Sequence, residues 1–101
     1  MEKRSNKYHL TLRLLETAKG EVDTQKQLEL EFDNHDEIFQ IIDSIKAKDP
    51  FNNPDQATEF AIGLKMFSEV MIKNKTNPLF EELKPAFQNF MKQLKSLPIN
   101  S

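Results

Sequence analysis

The sequence predicts an α+β fold, an N-terminal antiparallel β-hairpin followed by three α-helices, and three observations carry that expectation. Two early segments alternate apolar and polar residues with a period of two. Three later segments repeat their apolar residues at helical spacing, each preceded by an asparagine suited to capping. A glycine-containing polar stretch separates the two alternating runs, as a hairpin requires.

The first run, Lys7 to Glu16, reads KYHLTLRLLE and sets Tyr8, Leu10, Leu12 and Leu14 on one side, with His9, Thr11 and Arg13 on the other. After TAKGEVDT, the alternation resumes from Gln25 to Phe32, with Leu28, Leu30 and Phe32 against Gln27, Glu29 and Glu31. One face of this hairpin is therefore expected to be buried. A register placing Arg13 opposite Glu29 and His9 opposite Asp33 makes favourable cross-strand charge pairs, whereas a slip by two residues breaks them and keeps the same faces.

Asn34 is the expected N-cap of the first helix, with Glu37 completing a capping box and Asp36 favourable to the helix dipole. Ile38, Ile41, Ile42 and Ile45, with Phe39 beside them, form its apolar stripe until KAKDP closes it. In the loop that follows, Phe51 is expected to plug the edge of the core. Asn53 and Pro54 then open a long helix to about Lys73, whose apolar residues surround more than half of its circumference and mark it as central. Gly63 within it costs about 1 kcal/mol relative to alanine, which suggests a close approach by a neighbouring backbone. Asn77 and Pro78 open a third helical segment, kinked or restarted at Pro85, with Phe87, Phe90, Met91, Leu94 and Leu97 on its apolar side.

At 101 residues, with 38% hydrophobic and 30% charged residues and eight phenylalanines spread over both halves, the chain has the size and composition of one domain spanning 1–101. Residues 1–6 and 98–101 are expected to be loose ends. A net charge of −2 speaks against nucleic acid as the main partner. The longest apolar run, Phe60 to Leu64, falls far short of the ~20 residues of a membrane span, and the N-terminus lacks the apolar run of a signal peptide. Cytoplasmic residence is the default. The absence of cysteine removes disulfides, thiol catalysis and thiolate metal sites.

Chemistry-bearing patterns are scarce. No serine stands in a nucleophile-elbow turn, and two glycines, Gly20 and Gly63, cannot build a phosphate-cradling loop. The carboxylate pairs Asp36 with Glu37, Glu81 with Glu82 and Glu29 with Glu31 belong to helix starts or to an exposed strand face. DPFNNPDQATE resembles a calcium loop but puts Phe51 at a ligand position and lacks the central glycine, so it reads as a capped turn. His35 beside Asp33, Asp36 and Glu37 could form an oxygen-and-imidazole site, although acidic residues at a helix start ordinarily serve the dipole. No catalytic, cofactor-binding or metal-binding residue is assigned, and no cofactor is expected. Met66, Phe67, Met71, Phe80 and Phe87 are the candidate ligand or interaction surface, adaptable methionines among aromatic rings, against the alternative that they are ordinary core.

The segment Gln56 to Lys95, QATEFAIGLKMFSEVMIKNKTNPLFEELKPAFQNFMKQLK, resembles the small bacterial family known as domain of unknown function number 3861. FAIGLKMFSEVMIKN, NPLFEELKPAFQNFMKQLK and the upstream DNHDEIFQII carry the resemblance, which with the hairpin covers nearly the entire chain. It implies a bacterial cytoplasmic protein and attaches no activity, cofactor or catalytic residue to these positions. A lone two-stranded hairpin with two open edges needs cover. The leading expectation is thus a non-catalytic protein-interaction module, homodimeric or bound to another protein, using a hairpin edge or the surface around Phe80 and Phe87. The alternative is a small apolar-ligand binder with a pocket between hairpin and long helix, lined by Met66, Phe67 and Met71. An enzyme using His35 with Asp36 or Glu37 ranks last.

Overall fold

The computed structural model describes residues 4–22 and 25–99. They form two compact units, a hairpin unit ending at His35 and a helical unit beginning at Asp36. The expected loose ends lie partly outside the described residues; of the rest, Asn6 is already paired in a strand, whereas Pro98 and Ile99 are exposed and irregular.

In the hairpin unit, Asn6–Arg13 (β1) pairs antiparallel with Gln27–Asn34 (β2). The register corrects the expected one: Arg13 faces Gln27, Thr11 faces Glu29 and His9 faces Glu31. The two-residue shift keeps every side chain on its face and brings Tyr8 opposite Phe32, where the rings stack with centroids 5.4 Å apart. Such a pair adds about 0.5–1.5 kcal/mol beyond its buried area, and His9 still meets carboxylates in this register, those of Glu29 and Glu31. The Leu14 amide donates to the Lys26 carbonyl at 3.0 Å and continues the ladder by one step. At the loop, the Gly20 amide donates to the Thr17 carbonyl, Glu21 closes back on Thr17, and Gly20 takes φ +87°, a conformation that favours glycine.

The helical unit contains Ile38–Lys48 (α1), Pro54–Lys73 (α2), a single 3₁₀ turn at Pro78–Phe80 and Leu83–Ser96 (α3). Asn34 does not cap α1, because it is held in β2 opposite Asn6. Glu37 takes that role, its carboxylate accepting from the amides of Phe39 at 3.3 Å and Gln40 at 2.9 Å. The buried Ile38, Ile42 and Ile45 form one stripe of α1, while Phe39 is exposed. Asp49 ends the helix in the left-handed conformation, which Asp tolerates better than most residues.

Asn53 caps α2 as the sequence indicates, its Oδ1 accepting from the amides of Asp55 and Gln56 with Pro54 at the first position. On α2, Ala57 and Ala61 are buried to 1% and 0% exposure, and these two small residues one turn apart let α1 pack closely against the helix. Lys65 pairs with Asp36 beside this crossing. Phe51 lies edge-on to Phe60, with centroids 5.2 Å apart, and remains 41% exposed; it borders the core rather than sealing it.

Pro85 sits in the first turn of α3, where amides have no intrahelical partner, so the restarted-helix alternative is the one observed. The last turn of α3 is held from a distance. The Lys48 ammonium donates to the carbonyls of Leu94, Lys95 and Leu97 at 3.3, 3.1 and 2.9 Å, placing a cation on the negative end of that helix.

Gly63 corrects another expectation. A Cβ added there meets nothing within 4 Å among the described residues, so none of their backbones explains the glycine. Gly63→Ala is expected to raise stability by up to about 1 kcal/mol through helix propensity. Urea unfolding of dilute protein checks this, and a loss of stability would show that the position is crowded.

Candidate functional site

The polar face of the hairpin gathers the chain's clearest electrostatic cluster. Alternation brings His9 between two carboxylates of β2: its Nε2 lies 3.0 Å from Glu29 Oε1 and its Nδ1 3.6 Å from Glu31 Oε2. Hydrogen bonding to Glu29 raises the imidazole pKa above the ordinary 6.5, with a further upward contribution from Glu31 and opposition from desolvation. Because the folded pKa is raised, the stabilisation is fully present below 6.5, provided that the carboxylates are ionised. It is lost as pH rises through the folded value. The His9 ring protons should titrate with a midpoint above 6.5 by NMR, and Glu29→Gln should move it downwards; an unmoved midpoint would show that the contact does not persist in solution.

His9 is half-exposed, and the carboxylates beside it, Glu29 and Glu31, are solvated. Among the described residues, no group of three or more His, Asp and Glu stands where it could hold a metal ion, and His35 with its acidic neighbours forms no such group. No buried side-chain nitrogen or oxygen among them is left without a hydrogen-bond partner. No helix of the described residues is long and apolar enough to cross a membrane.

Of the five candidate surface residues, three come together: Phe67 of α2 lies edge-on to Phe80 at 6.0 Å and tilted against Phe87 at 6.1 Å. Phe80 is buried and Phe87 half-buried, however, so these two rings pack inward. Met71 is buried and Met66 half-buried. Phe67 alone keeps a large exposed portion, 43%, and Val70, one turn further along α2, is also exposed. A separate recess of about 220 Å³ in the helical unit is lined by Pro50, Phe51, Phe60, Phe90, Leu94 and Leu97. It contains none of the five and lies below the ~300–1,000 Å³ of ordinary small-molecule sites.

The largest departure from the sequence expectation lies on the apolar face of the hairpin, which should be buried. Leu12 is 62%, Leu28 55% and Leu30 42% exposed. Leu12 faces Leu28 and Leu10 faces Leu30, which makes a continuous leucine ladder. At its loop end, Leu12, Leu14, Leu15 and Leu28 border a hollow of about 370 Å³. The alternation in the sequence identifies this side as apolar but carries no information on what covers it.

A family model described as a domain of unknown function with solved structure, DUF3861, matches residues 6–96. Among solved structures, a protein of unknown function from Pectobacterium atrosepticum SCRI1043 is similar, with 33% sequence identity and a TM-score of 0.78 over 91% of this chain and 98% of that one. No curated protein matches. The match extends through both the hairpin and the helices.

Proposed function

This chain belongs to the family designated domain of unknown function 3861, and we propose that it is a non-catalytic protein-interaction module of a bacterial cytoplasmic protein, working as a homodimer. The reading treats residues 1–101 as one functional domain. The observation that carries it is the exposed leucine ladder: three leucines, Leu12, Leu28 and Leu30, stand 42–62% exposed on one face of a two-stranded sheet. Two strands are marginal in isolation, and contiguous exposed apolar surface on a small protein marks contact with another surface. A second copy of the chain is the partner proposed, rather than nucleic acid or membrane, in keeping with a net charge of −2 and charges of both signs on the polar face of the hairpin.

Light scattering coupled to size exclusion, run from low to high micromolar concentration, tests the reading. The wild-type protein should show a dimer that dissociates on dilution. Leu28→Glu should weaken it at least tenfold, since a buried carboxylate among leucines is costly, while leaving the circular dichroism spectrum unchanged. A wild-type monomer at high micromolar concentration would dismiss the proposal.

A further inference from the structure

Resting on that reading, we infer that the dimer is reciprocal: the leucine face of each hairpin lies along the exposed Gly63–Phe67–Val70 stripe of the partner's α2, rather than on the partner's hairpin or along a strand edge.

Three ways of covering a hairpin with a second copy can be compared through charge, symmetry and area. Continuing the sheet edge to edge through two copies of β1 sets Lys7, His9 and Arg13 against one another, and through two copies of β2 it sets Glu29, Glu31 and Asp33 against one another. Like charges directly opposite are destabilising on a sheet, so both symmetric edge pairings are disfavoured. Pairing β1 of one copy with β2 of the next satisfies the charges but runs head to tail, and it extends to a filament instead of closing at two.

Face-to-face packing of the two leucine ladders closes but is small. Strands of eight residues, at ~3.4 Å per residue and ~4.8 Å between strands, give a face of about 27 by 10 Å, roughly 260 Å². Two such faces bury about 520 Å² in total, half of the ~1,000 Å² that a specific interface needs. Reciprocal docking on helices makes the same contact twice around one two-fold axis and doubles the buried surface to about 1,000 Å², which reaches that threshold.

The partner surface has matching dimensions. The 20 residues of α2 span about 30 Å, close to the length of the hairpin. Its outer stripe carries no charge from Gly63 through Phe67 to Val70, with Phe67 and Val70 43% and 52% exposed. The open side of Gly63 leaves a shallow place on the stripe where a leucine side chain of the other copy fits.

The chain contains no cysteine, so single cysteines at exposed positions report contacts without background. Leu28→Cys and Val70→Cys proteins, mixed and treated with a short bismaleimide, should yield mainly the mixed crosslinked pair, with Thr11→Cys on the polar face remaining unlinked to Val70→Cys. Dominant Leu28→Cys self-linkage would show the hairpins packed face to face. A wild-type dimer with no linkage through either position would place the interface elsewhere. Either result overturns the reciprocal arrangement and leaves self-association standing. A monomeric wild-type protein would remove both.

Discussion

Phe80→Ala should lower the stability of the protein by about 3–5 kcal/mol, the cost of emptying a phenylalanine site in a core. Phe80 is 8% exposed, and its ring rests edge-on against Phe67. It is delivered there by the 3₁₀ turn at Pro78–Phe80, which Asn77 starts by accepting from the Leu79 amide at 2.9 Å. The neighbouring Leu79 is 77% exposed, so Leu79→Ala should change stability by less than about 0.5 kcal/mol. The contrast between adjacent positions decides whether the NPLF segment serves packing or recognition. If urea unfolding leaves the Phe80→Ala midpoint near wild type while dimerisation is lost, Phe80 belongs to the interface instead.

Ala61→Leu should cost about 1–3 kcal/mol, and the cause is the reverse, too much volume instead of too little. Ala61 has no exposed surface, and Ala57 one turn before it has almost none; both lie on the helix that packs against α1. A leucine there must push α1 outwards or take a strained rotamer. Thermal unfolding followed by circular dichroism should show a lowered midpoint with native helix content retained at low temperature. An unchanged midpoint would mean that the helices separate without penalty and that the small residues do not set their distance.

The sequence was legible wherever local physics was unopposed. Asn53 followed by Pro54 places the start of α2 at its observed residue, because capping and proline's fixed φ act within one turn. Asn34 is an equally good cap in isolation, but strand pairing with Asn6 competes for it, and the start of α1 falls to Glu37. The hairpin register failed for a related reason. Two registers share the same faces, so periodicity cannot separate them, and the observed one is distinguished by a contact between Tyr8 and Phe32, residues far apart in sequence. The candidate surface divides in the same way. Spacing identifies Phe67, Phe80 and Phe87 as a cluster, whereas only the three-dimensional packing shows that Phe67 faces outwards and the other two inwards. The leucine ladder was visible as a pattern and invisible as a surface.

The hold of Lys48 on the end of α3 has a consequence for the order in which the helical unit assembles. The lysine and its three carbonyl partners are separated by 46, 47 and 49 residues of chain. Closing a loop of that length costs on the order of 3 kcal/mol in chain entropy, which a charged hydrogen-bond cluster offsets only once the intervening helices have shortened the path. α1 and α2, neighbours in sequence, can dock early, whereas the lysine finds its partners late. During synthesis, Leu97 is added 49 residues after Lys48, and the lysine ammonium remains hydrated until that last turn arrives. The contact therefore belongs to the final consolidation of the fold, and its loss should quicken unfolding far more than it slows folding.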